Sequence, residues 1–167
     1  MVRTGRDIVL RRPTFLDATA IHNLLRIQRE REIRLGRYLD FKVKPKEQFL
    51  LVRKGVITTE ILGLCSYIIK DNHPYINVFV VKNEGLFHGP IMMKLMLKEL
   101  FKKFDFFWFV CLQKNFKVLT PFFRLIDKVG IDAWTEEFED PYIKIGVHRG
   151  SGYRAESRKE SSVRESN

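Results

Sequence analysis

The chain has 167 residues, 45% of them hydrophobic and 30% charged, with 30 Lys and Arg against 20 Asp and Glu for a formal net charge of +10. That size suits one domain, and the apolar fraction excludes wholesale disorder and the collagen-like and heptad-repeat classes. No apolar run approaches the ~20 residues that cross a bilayer, and the basic N-terminus leads into a strand-like run rather than a signal core. A cytoplasmic protein with no membrane partner is the expectation. Cys65 and Cys111 both lie in apolar runs, where a thiol behaves as a small hydrophobe, so neither a disulfide nor a cysteine-based metal site is expected.

In chain order, Ile8-Val9-Leu10 followed by Arg11-Arg12-Pro13 reads as a short strand stopped by proline. Thr14 and Asp17 stand three apart, the spacing of an N-cap hydroxyl and an acidic N3 side chain, which predicts a helix start. Its apolar positions, Ala20, Ile21, Leu24, Leu25 and Ile27, keep a helical period to about Gln28. Arg29 to Arg37 alternates charges with few apolar anchors and reads as a solvated helix end or a mobile connector.

Phe49–Val52 and Ile61–Ile69 are strand-like runs joined through Gly55, the pattern of an antiparallel hairpin, and Asp71-Asn72-His73-Pro74 turns the chain into a third strand, Tyr75–Val81. Gly89-Pro90 opens a helix that runs to about Phe104, apolar at Met92, Met93, Leu95, Met96, Leu100 and Phe101 and wet at Lys94, Lys98, Lys102 and Lys103. Phe106–Leu112 is apolar on both faces, the mark of a strand central to a sheet. Phe116–Lys128 reads as a helix ended by Gly130. The strands Ala133–Phe138 and Tyr142–Val147 flank the turn Glu139-Asp140-Pro141, and from His148 the composition becomes polar, which predicts a disordered tail over 148–167. The order predicts an α/β or α+β fold with helices packed on a sheet.

That order, with Ile8 to Ala18, Glu60-Ile61-Leu62-Gly63-Leu64, Asn115 and Lys128-Val129-Gly130-Ile131, resembles the GNAT superfamily of acyl-CoA-dependent N-acyltransferases over about Asp7 to Val147. The resemblance implies one domain over 1–147, a mixed central sheet flanked by helices, and a coenzyme A site at Val80, Val81, Gly85, His88, Gly89 and Asn115. In the family, an Arg/Gln-x-x-Gly-x-Gly/Ala turn and the following helix start hold the pyrophosphate on backbone amides. Here Glu84 stands at the Arg/Gln position, Phe87 at the first glycine and Gly89 at the second, and Pro90 removes an amide. His88, if protonated, would return a positive charge, and Lys94 lies about one turn further on.

The family often uses a tyrosine in its last helix as the acid for the departing thiolate; the matching position, four before Gly130, is Ile126. The central strand carries no carboxylate to act as base. Glu60, Asp71 and Glu84 are the nearest acidic groups, each read as a solvated turn residue, and Tyr67 is a candidate hydrogen-bond donor, so no catalytic residue is assigned. His22, His73, His88 and His148 lack zinc-ligand spacing, and no metal is expected.

Three functions compete. The first is a GNAT-fold protein that has lost catalysis and serves as a binding or assembly module, with acetyl-CoA absent or weakly bound; GNAT-like proteins with degraded sites occur among tailed phages, and the aromatic fifth strand with Asn115 is loosely similar to them. The second is an active N-acyltransferase with a divergent pyrophosphate loop. The third is a nucleic-acid binder, from Arg26, Arg29, Arg31, Arg34 and Arg37 and the basic tail, although interleaved glutamates read instead as a solvated charged face. Expected partners are a protein or a polyanion such as nucleic acid.

Overall fold

The computed structural model describes residues 7–34, 44–83, 86–113, 124, 131–138 and 142–150. Among them are β1 (Ile8–Arg11), a 3-10 turn (Phe15–Asp17), α1 (Ala18–Arg34), β2 (Glu47–Lys54), β3 (Thr59–Lys70), β4 (His73–Val81), α2 (His88–Leu100), β5 (Phe106–Leu112), β6 (Asp132–Glu137) and β7 (Tyr142–His148). The fold class is α+β. The chain divides into two compact units, Met1–Glu99 and Leu100–Asn167.

In the first unit, β1, β2, β3 and β4 pair in sequence order, each antiparallel to the next. The β3–β4 connection is a two-residue turn in which Asp71 and Asn72 have φ of 54° and 65°. Two left-handed residues match the twist of a hairpin, and Asp and Asn tolerate that conformation better than most side chains. His73 and Pro74 therefore belong to β4, not to the turn assigned from sequence. Two register shifts interrupt the ladder. Leu62 is extra between the pairs Leu51↔Gly63 and Val52↔Ile61, and Asn77 is extra between Ser66↔Val78 and Tyr67↔Ile76.

The two faces of this sheet take different partners. Leu50, Val52, Leu64, Val78 and Val80 form a buried cluster with Leu24 of α1, joined by Val9, Ile21, Leu25, Ile27 and Ile61. On the alternate residues, a Cβ placed on Gly63 would come within 3.1 Å of the Met92 sulfur, and the Cys65 thiol lies 3.6 Å from the Met96 thioether sulfur, so α2 packs there. Burial raises the Cys65 thiol far above its ordinary range, and no disulfide forms: both cysteines are free.

The predicted pairing of Thr14 and Asp17 forms a capping box at the helix entry: the Thr14 backbone amide donates to the Asp17 carboxylate at 2.7 Å, and the Thr14 hydroxyl lies 3.3 Å from the same oxygen. Arg11 completes the site with two bonds to the two carboxylate oxygens, at 2.8 and 3.0 Å. This tethers the end of β1 to the entry of α1. The helix continues past Gln28 to Arg34 because the charged stretch does find an anchor: Glu32 is buried and accepts from Gln28 at 2.9 Å. Arg37 lies outside the described residues.

In the second unit, β7 lies between β5 and β6, antiparallel to both. Trp134 covers Gly146, where a Cβ would meet its indole at 2.6 Å, and stacks on Phe106 with centroids 5.1 Å apart. The strand extends one residue beyond the predicted edge, through His148. Arg149 is then tied down by the Phe101 carbonyl at 2.8 Å and by the Asp105 carboxylate. Of the predicted tail, residues 148–150 are described and 151–167 lie outside the described residues. So does the predicted helix Phe116–Lys128 apart from Arg124, along with the turn 139–141.

Two outcomes follow from this packing. The bonds from Arg11 and then Thr14 hold the Asp17 carboxyl well below the usual carboxylate range, so its stabilisation is complete above the unfolded-chain value and fades as pH falls below about 4. Asp17→Asn should cost about 1–2 kcal/mol at neutral pH and flatten the loss of stability in acid, read by urea unfolding at a series of pH values. Gly63→Ala should cost about 1–3 kcal/mol, because the new methyl meets the Val80 carbonyl oxygen at 2.8 Å, and backbone in a strand yields little.

Candidate coenzyme site at the start of α2

The candidate site rests on where α2 begins. β4 ends at Val81, and the Lys82 amide still bonds to the Leu62 carbonyl at 2.8 Å, so the chain leaves the sheet beside β3 before turning into the helix. Phe87, the residue before the helix, has φ of 59° and is 71% exposed. That is the left-handed conformation a glycine adopts without penalty and a phenylalanine adopts at a cost of about 1–2 kcal/mol. The position matched to the first glycine of the pyrophosphate turn has therefore kept the glycine backbone while carrying an aromatic side chain.

The first turn of α2 offers one amide fewer than usual to an anion. A helix start normally leaves four N–H groups without intrahelical acceptors. Here Pro90 has none, and the Ile91 amide already bonds to the Phe87 carbonyl at 3.3 Å. Ile91 is thus the first residue bonded within the helix, and of the four preceding groups the amides of Phe87, His88 and Gly89 remain.

His88 does not supply the compensating charge considered from sequence. Its ring is buried, with Nε2 3.3 Å from the Arg53 guanidinium. A guanidinium can only donate, so Nε2 accepts and the ring proton sits on Nδ1, which has no hydrogen-bond partner. Burial first, and the Arg53 charge second, push the His88 pKa below its ordinary value. The imidazole is neutral at pH 7, and Arg53 is the cation next to the helix start.

Arg53 is a residue that sequence reasoning missed. It lies on β2, far along the chain from the motif, and its other bond, to Glu60 at 3.1 Å, is the only part a hairpin register could have revealed. Of the other matched residues, Val80 turns its side chain into the core cluster with Leu24, Val81 packs over the bare face of Gly63, and a Cβ placed on Gly89 would lie 4.0 Å from the Phe79 ring. Gly85 and Asn115, together with Glu84 and Ile126, lie outside the described residues.

The acid–base candidates separate. Glu60 is paired with Arg53, and Asp71 sits exposed in the β3–β4 turn. Tyr67 does not wet its hydroxyl: the residue is buried and donates to Glu47 at 3.1 Å, while Arg12 approaches the other Glu47 oxygen at 3.1 Å. Burial, with Glu47 adding to it, pushes the Tyr67 phenol up to about 12, which keeps it protonated. Sequence reasoning missed Glu47; its register partner Tyr67 was the available signal. The remaining polar group of the β4 bulge is Asn77, which accepts from the Ser66 hydroxyl at 2.8 Å. Among the described residues no cluster of His, Cys, Asp and Glu could hold a metal ion.

No protein-family model and no curated protein matches the chain. Solved structures do. The spermidine N-acetyltransferase SpeG of Vibrio cholerae, in a mutant form, superposes with a TM-score of 0.55 at 14% identity, over 89% of this chain and 99% of its own. ElaA of Escherichia coli gives 0.54 at 13% identity over 85% and 98%. The diaminobutyrate acetyltransferase EctA of Paenibacillus lautus, solved with L-2,4-diaminobutyric acid and coenzyme A, gives 0.53 at 12% identity over 84% and 94%. With the element order described above, these likenesses establish that the chain carries the fold of the GNAT N-acetyltransferases.

Proposed function

We propose that this chain is a GNAT-fold binding or assembly module whose acyl-CoA site has decayed. The observation that carries the reading is the start of α2: a left-handed Phe87 in the glycine position, a neutral His88, and a first turn that lacks the Pro90 amide. Pyrophosphate binding needs bare backbone, several amides and a net positive field. Here the ring of Phe87 stands where the backbone should be approached, and Arg53 is shared between Glu60 and His88. The partner of such a module would be a protein or a polyanion, in keeping with the net charge of +10.

One observation favours an active acyl-CoA N-acyltransferase instead. The Arg53 guanidinium stands beside the helix start and could exchange Glu60 for a phosphate, since an exposed ion pair is worth at most about 1 kcal/mol. Calorimetry with acetyl-CoA separates the two readings. Decay predicts a Kd weaker than about 10 μM, roughly −7 kcal/mol, unchanged by Arg53→Gln. A tighter Kd that Arg53→Gln weakens about tenfold would establish the active reading.

Phe87→Gly should stabilise the fold by about 0.5–1 kcal/mol, the relief of left-handed strain less the extra entropy of glycine in the unfolded chain. Thermal unfolding measures it. A loss of stability would mean that the Phe87 ring is held in place by contacts worth more than its strain.

A further inference from the structure

The end of the first unit that carries the α2 start also carries an apolar surface. At the tip of the β2–β3 hairpin, closed by the Gly55 amide on the Thr58 carbonyl at 2.9 Å, Val56 and Ile57 are 85% and 94% exposed. In the loop before α2, Leu86 and Phe87 are 57% and 71% exposed. The two loops leave the sheet at the same end. Lys82 bonds to Leu62 at the last rung of β3 and β4, and Arg53, two residues before Gly55, reaches the ring of His88, next to Phe87. Exposed apolar side chains scattered singly need no explanation, but four of them on two neighbouring loops make a patch.

The chemistry flanking the patch is basic. Lys54 and Lys82 are both exposed and make no ion pair among the described residues, while the nearby carboxylate of Glu60 is taken by Arg53. Glu84, in the same loop by sequence, lies outside the described residues. Val56 and Ile57 are nearly as exposed as in an extended chain, so the tip is convex and offers no groove for a partner helix. Convex apolar prongs with flanking cations match a deformable apolar medium beneath a layer of anionic head groups. A nucleic acid would meet the cations but give the prongs nothing apolar unless bases were unstacked.

We propose that this end of the first unit docks on an anionic lipid surface, with Val56, Ile57, Leu86 and Phe87 entering the interface and Lys54 and Lys82 meeting the head groups. It is a surface contact, since no described helix is long and apolar enough to cross a membrane, and it departs from the expectation of no membrane partner. The proposal stands apart from the coenzyme reading, because vesicle binding and acetyl-CoA titration are measured separately.

The test is cosedimentation of the full chain with vesicles of phosphatidylcholine alone or mixed with phosphatidylserine. The expected result is binding to the mixed vesicles only, falling as salt rises. The double variant Val56→Asp, Ile57→Asp should weaken it at least tenfold with an unchanged melting temperature, because both residues stand clear of the core. Lys54→Gln with Lys82→Gln should weaken it and flatten the salt dependence. No binding to the mixed vesicles, or equal binding by the tip variant, overturns the proposal. So does a tip variant that loses duplex DNA binding while keeping vesicle binding, which would assign the patch to nucleic acid.

Discussion

Everything in the first unit leans on β3. Seven consecutive residues of that strand, Leu62 to Ile68, are buried, because β2 and β4 take its two edges while α1 and α2 take its two faces. The constraint is tightest at Gly63, where hydrogen replaces a side chain so that Met92 of α2 can lie against the strand. A buried strand flanked on all sides permits no register slip, since a shift by one residue would send Leu64 toward α2 and Gly63 into the α1 core. The position of the α2 start, and with it any anion chemistry there, is thereby a consequence of strand packing.

Charge in this unit is spent on holding elements together. Arg11 ties β1 to the entry of α1 through Asp17, Arg12 and Tyr67 converge on Glu47, and Arg53 links Glu60 to His88. Each of these three guanidinium groups already has an internal acceptor. At the helix start, burial and the neighbouring arginine favour the neutral form of His88. Lys54 and Lys82, near that end, stand instead beside exposed apolar loops.

Phe87 brings the two themes together. Its backbone holds the left-handed turn that lets the chain pass from β4 into α2, and its side chain contributes nothing to the core. A residue that costs strain and leaves most of its side chain exposed is unexplained by folding alone.

The order of strands and helices was legible because hydrophobic period and turn chemistry are local: Phe106–Leu112 agrees with β5 residue for residue, and the Gly55 and Asp71-Asn72 turns mark both hairpins. The departure of Glu84, Phe87 and Pro90 from the pyrophosphate pattern was equally plain, since identity needs no coordinates. The extension of α1 to Arg34, the bulge at Asn77, the burial of Glu32 and His88, and the approach of Arg53 to the α2 start were decided only in three dimensions. Each depends on partners distant in sequence. The protonation state of a histidine and the reach of an arginine are set by what packs around them, and no spacing along the chain encodes that.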